Sequence, residues 1–135
     1  MKHDELWNKF INEICYSFID NRNKSLSEEQ KNAIIAFVYD AEVNHGGHIT
    51  FFDCYGGVFS VDEVANALRI TAGENFAANF LSAAAYIHYT EEFGYMPDKD
   101  LDTDPFEDDI YYKMIPALSD LLEEYICNNK EKIFL

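Results

Sequence analysis

Residues 27–55 read SEEQKNAIIAFVYDAEVNHGGHITFFDCY, and the parsing of this stretch decides the fold. It opens with Ser27-Glu28-Glu29-Gln30, a capping box in which the serine hydroxyl accepts from the Gln30 N–H while the Gln30 side chain reaches back. Behind the box, Ala33, Ile34, Phe37, Val38 and Ala41 recur at the spacing of one helix face. The helix is expected to stop at Asn44-His45-Gly46-Gly47, because glycine takes the left-handed conformation that ends helices. His48–Tyr55 is short and aromatic, and periodicity alone does not separate strand from helix there. No other segment offers a partner strand, and Gly56-Gly57 closes the stretch, so it reads as a short helix. Helix, glycine break, helix: the chain is all-α.

Outward from this stretch the same reading holds. Leu6, Trp7, Phe10, Ile11, Ile14, Cys15, Phe18 and Ile19 keep helical spacing over four turns, predicting an amphipathic helix across 4–19. Asp20–Lys24 is a polar loop. Ser60-Val61-Asp62-Glu63 is a second capping box, opening a helix with Val61, Val64, Ala65 and Leu68 inward. After Gly73 a longer helix runs from Glu74 to about Thr90, its stripe being Phe76, Phe80, Ala83, Ala84 and Ile87. Its alanines suit close packing and a central position. Gly94-Tyr95-Met96-Pro97 breaks it, and Asp104-Pro105 is an N-cap and first-turn pair for the next helix. The last helical stretch carries Tyr111, Tyr112, Ile115, Leu118, Leu121, Leu122, Tyr125 and Ile126. Pro116 demands a kink or break near Ile115. The expected architecture is a single domain over 1–135, a bundle of six or seven helices.

The chain has 135 residues, 48% of them hydrophobic and 16% aromatic, which excludes a disordered or fibrous protein. At this size folding buries roughly 65–70% of the unfolded surface, enough for a core without disulfides. The 25 Asp and Glu outnumber the 10 Lys and Arg, for a formal charge of −15. Such a surface repels phosphate, so direct binding to nucleic acid or anionic lipid is not expected. The partners it attracts are cationic. Cys15, Cys54 and Cys127 form no CxxC pair and suggest no disulfide framework. The first residues lack a secretory pattern, and no apolar run is long enough to span a membrane. The expected setting is cytoplasmic.

Candidate chemistry is sparse. His45-Gly46-Gly47-His48 offers two imidazoles, but a metal site needs at least three converging ligands, and two glycines leave the pair softly placed. The expectation is a helix-end turn with exposed imidazoles and no metal. Asp98, Asp100, Asp102 and Asp104 mimic the spacing of a calcium loop, yet Thr103 stands where that loop needs glycine and Pro105 stiffens the position after Asp104. No nucleophile motif, phosphate loop or dinucleotide glycine pattern occurs, so no catalytic residue and no cofactor is assigned. The most biased segment is 98–109, with seven acids (Asp98, Asp100, Asp102, Asp104, Glu107, Asp108 and Asp109) against Lys99. Leu101, Phe106 and Ile110 interleave with them and are expected to pin the segment so that its carboxylates face outward together. These seven acids are the candidate partner-binding residues.

Leu26–Gln30, followed by Glu42-Val43-Asn44-His45-Gly46-Gly47-His48-Ile49-Thr50-Phe51-Phe52, resembles the signature of a bacterial all-helical family of unknown function that includes a DNA mimic, the DNA-mimic-protein-nineteen-like family. That signature reads roughly E-x-x-N-G-G-F-x-Q-F-F. Glu42, Gly46, Gly47, Phe51 and Phe52 are kept; His45, His48 and Thr50 replace Asn, an aromatic and Gln. In this motif the glycines are expected to make the turn, Asn44 to cap, and Phe51 and Phe52 to anchor the short helix. The resemblance implies an acidic protein that imitates the charge pattern of DNA and occupies the DNA-binding surface of a transcription factor, such as a helix-turn-helix regulator. DNA carries about one negative charge per 1.7 Å of axis, so a mimic needs rows of carboxylates on a rigid frame. Two other readings stand beside it: an immunity or antitoxin-like protein capping a basic toxin, and a small enzyme or cation-dependent regulator. Monomer and homodimer both fit.

Overall fold

The computed structural model describes residues 3–20, 25–93 and 106–135. Among these it contains seven helices and no strand. Helix α1 joins three stretches, His3–Lys9, a π-helical Phe10–Cys15 and Tyr16–Asp20. It is followed by α2 (Glu28–Tyr55), α3 (Val61–Thr71), α4 (Glu74–Phe93), α5 (Phe106–Lys113), α6 (Leu118–Asn128) and α7 (Lys130–Ile133). The expected Gly94–Pro97 break and the Asp104-Pro105 cap fall outside the described residues.

Both capping boxes form as the sequence requires. Ser27 Oγ accepts from Gln30 N at 3.1 Å, and Gln30 Oε1 accepts from Ser27 N at 2.9 Å. The Ser60–Glu63 pair repeats this at 3.1 Å in both directions. The first box also fastens the C-terminus: Ser27 Oγ donates to Lys132 O and Gln30 Nε2 to Ile133 O.

The centre of the bundle is the first half of α2 and not α4. Asn32–Ala36, Val38 and Tyr39 are all buried, so this helix is enclosed on nearly every side. Helix α2 as a whole packs on α3, α4, α5, α6, α7 and the π-helical part of α1. Helix α4 buries the expected stripe of Phe76, Phe80, Ala83, Ala84 and Ile87 but leaves Ala78, Leu81 and Ser82 open, as a flanking helix does. Ala41 and Val61, both expected inward, are exposed; Val61 occupies the first position of α3, before its inward stripe begins. Aromatic rings fill the middle: Phe51, Phe80 and Tyr111 each meet Tyr39 edge-on at 5.2–5.7 Å. Such pairs contribute about 0.5–1.5 kcal/mol beyond their buried area. Helix α5 ends at Lys113 and α6 begins at Leu118, so the interruption around Pro116 is present.

Candidate functional site

The break inside α2 positions everything that follows. Gly46 (φ −155°, ψ 20°) and Gly47 (φ 84°, ψ −179°) leave helical geometry, and the chain resumes as a helix from His48. Gly47 lies in the left-handed region that side chains rarely occupy. A Cβ there would also sit 2.3 Å from Asp108 Oδ2. The glycine thus serves two ends, a backbone conformation and the close approach of α5.

Asp108 arrives through that gap. Its Oδ1 accepts from the His48 backbone N–H at 3.0 Å and faces His48 Nδ1 at 2.5 Å. The first N–H after the break is therefore capped by a carboxylate from 60 residues away, at a helix end that favours negative charge. His48 Nε2 meets the Tyr39 hydroxyl at 2.6 Å, and the imidazole is completely buried. Burial holds the His48 imidazole below its ordinary pKa, against the opposing pull of Asp108. The neutral ring donates from Nδ1 to Asp108 and accepts from Tyr39 at Nε2. Burial, and the carboxylates of Asp108 and Asp40, push the Tyr39 hydroxyl well above its usual range.

Two more α5 side chains reach the same break. The Tyr111 hydroxyl donates to Asp40 Oδ1, and Tyr112 donates to Val43 O at 2.7 Å. Asn44 Nδ2 donates to Asp40 Oδ1 at 2.9 Å and to Asp40 O at 2.8 Å, so it caps the end of the first half of α2 as expected. Burial raises the pKa of Asp40, and the hydrogen bonds from Tyr111 and Asn44 oppose this. Asp108, Tyr111 and Tyr112 stand three and four residues apart, one face of α5.

These positions correct three expectations. His48 is not an exposed imidazole; His45 is exposed, while the ring of His48 is walled in by Tyr39 and Tyr111. Asp108 does not point outward with the other acids, because its carboxylate is the partner of two buried His48 donors. Phe106 and Ile110 do not pin the segment either: they are 70% and 41% exposed, and the polar face of α5 does the pinning. Of the other candidate acids, Asp109 is exposed and Glu107 half-buried, its carboxylate accepting from Ser82 at 3.3 Å. Asp98, Asp100, Asp102, Asp104 and Leu101 fall outside the described residues.

The remaining motif residues hold local structure. Phe51 is buried, and Phe52 stacks on Phe80 with centroids 5.7 Å apart. Glu42 Oε2 accepts weakly from the Cys54 thiol at 3.6 Å. Among the described residues no three His, Cys, Asp or Glu side chains converge as a metal-ligand group. Nor is any helix there long and apolar enough to cross a membrane. The Tyr39–His48–Asp108 chain has the order of a proton relay, but Tyr39 and His48 are closed to any reactant. It holds two helices together.

The sequence reading leaves Tyr39 and Asp40 without a role, takes His48 for an exposed imidazole, and places Tyr111 and Tyr112 in a helical stretch without seeing their hydroxyl partners. One signal for them existed: His48 stands where the resembling signature has an aromatic, a position that faces a core. The Asp-x-x-Tyr-Tyr spacing at 108–112 was a second.

A model of the DMP19-like protein family matches residues 24–129. No curated protein and no solved structure matches the chain.

Proposed function

The chain belongs to the DMP19-like protein family, and from that premise we propose that it is an acidic binding protein that occupies the basic, DNA-binding surface of a transcription factor or similar protein. The observation that carries the reading is the charge: 25 acids against 10 bases in a chain whose described part is a firmly packed helical frame. Opposite potentials steer encounter and fix orientation, so a surface of this sign selects partners that ordinarily hold phosphate. Several described carboxylates are exposed, among them Asp53, Asp62, Asp109, Asp120 and Glu124. Three others are matched by cations at the surface: Glu13 by Lys9, Glu63 by Lys31 and Glu74 by Arg69. The family's name supports the mimicry in particular.

The test is capture of partners from the native host, followed by competition. A captured DNA-binding protein should release its duplex as the chain is added, less so as salt rises. The chain itself should not shift random duplex in a gel at low salt, where like charges repel most. A partner that holds chain and duplex at once would refute mimicry. A captured toxin whose activity the chain blocks would favour the immunity reading instead.

A further inference from the structure

A groove of about 790 Å³ runs between the first turns of α4 and the junction of α5 with α6. Its wall is apolar along Phe76, Ile110, Met114, Ile115 and Leu121, and its rim carries Glu107 and, ion-paired with Arg69, Glu74. Among the described residues no lysine or arginine lines it. Ile110, on the outer side of α5, and Ile115, in the junction of α5 with α6, are 41% and 94% exposed, so the wall of the groove offers apolar surface to solvent. Asn79 adds a polar mark on the same wall. Its Nδ2 donates to Glu107 O at 3.1 Å, which fixes the amide orientation and leaves the buried Oδ1 without a hydrogen-bond partner among the described residues. A buried acceptor left unmade is costly, and what it accepts is a donor.

We propose that this groove is the docking site for an amphipathic basic segment of a protein partner. Apolar side chains of the segment would enter between Ile110, Met114 and Ile115, and a guanidinium or ammonium would lie against Glu107 on the Asn79 side. The cation belongs at that end, because the opposite end is the N-terminus of α4, which carries partial positive charge. Charge complementarity selects this occupant: an apolar groove with the Glu107 carboxylate at its rim, in a chain of formal charge −15, disfavours an acidic or purely apolar ligand. The proposal rests on the acidic-binder reading and narrows it to one surface and one kind of segment.

Two peptides test it by fluorescence anisotropy at physiological salt. The first is a helical peptide with leucines at i, i+3, i+4 and i+7 and arginines between them; the second has every leucine replaced by serine at equal charge. The first should bind at least about tenfold more tightly than the second. The double variant Ile110→Ser with Ile115→Ser should bring the first peptide down to the level of the second and leave the second unchanged. Glu107→Gln should weaken both, the first more. Equal binding of the two peptides, or an unaltered first peptide with the double variant, would overturn the groove while salt-sensitive binding of the serine peptide upheld the acidic-binder reading. Failure of both peptides at low salt would remove both. Circular dichroism of the double variant checks that the fold is kept, as both isoleucines are exposed.

Discussion

The two faces of α5 are made from the same short acidic sequence and are opposites in role. On the inner face Asp108, Tyr111 and Tyr112 each end on a named partner at the break in α2: His48, Asp40 and Val43. On the outer face Phe106, Asp109 and Ile110 end in solvent. Neighbouring aspartates, Asp108 and Asp109, therefore do different work. One is a helix cap and hydrogen-bond anchor; the other adds charge to the surface. A count of acids does not separate them, and the direction of each side chain does.

The sharpest way to break this contrast is at Gly47. Gly47→Val puts a branched side chain into the left-handed region and into Asp108, so it should cost about 4 kcal/mol of stability in chemical denaturation. A valine variant within about 1 kcal/mol of the parent would mean that neither the conformation nor the approach of α5 matters.

Next comes the direct comparison of the two aspartates. Asp108→Ala strands the His48 backbone N–H and Nδ1–H in a buried site and should cost about 3 kcal/mol. Asp109→Asn should stay within about 0.5 kcal/mol of the parent. Equal losses would erase the distinction between faces.

How much of this was legible depends on what each residue's signal competed with. The helices of 28–55, 61–71 and 74–93 stood out because Ser27, Ser60 and Gly73 punctuate apolar stripes that a helix alone can satisfy. The break at Gly46-Gly47 was equally plain, since two glycines inside an otherwise helical pattern require a reason. The burial of Asp108 was hidden because its six acidic companions set the expectation for the whole segment. His48 was hidden because a histidine beside glycines at a helix end is usually exposed, and its burial depends on an α5 carboxylate distant in sequence. Phe106 and Ile110 looked like anchors by composition, but the face of α5 that turns inward is set by Asp108 and the tyrosine hydroxyls. The centrality of α2 over α4 is a property of packing between helices, which alanine content in one helix does not decide.

A smaller effect sharpens the account through pH. Burial lowers the pKa of folded His48, so the unfolded chain binds the proton more readily. The sign follows: His48 contributes fully above the unfolded value of about 6.5, and stability falls as pH drops below it toward the folded value. Asp40, its carboxyl raised by burial, acts in the other direction in a lower window just above the usual carboxylate range, where protonation relieves the folded state. Denaturation midpoints between pH 7 and 5 should decline in the parent and lose that His48-dependent slope in His48→Gln. An unchanged slope in the variant would assign the effect to another group.

The smallest expected effect on stability goes with the largest on binding. Asp100, Asp102, Asp104 and Asp109, replaced together by asparagine, spare the Asp108 anchor and remove four charges from the acidic segment. Folding stability should be unchanged or slightly higher, as like charges are relieved. Affinity for a verified physiological partner, titrated at low salt, should fall several-fold or more, mainly through slower association. That titration, run on the same sample as the denaturation curve, tests the central claim most directly. Weaker binding at equal stability is the result the account predicts. Binding as tight as the parent's, with the fold intact, would contradict it and leave the acidic segment a solvated stretch of chain.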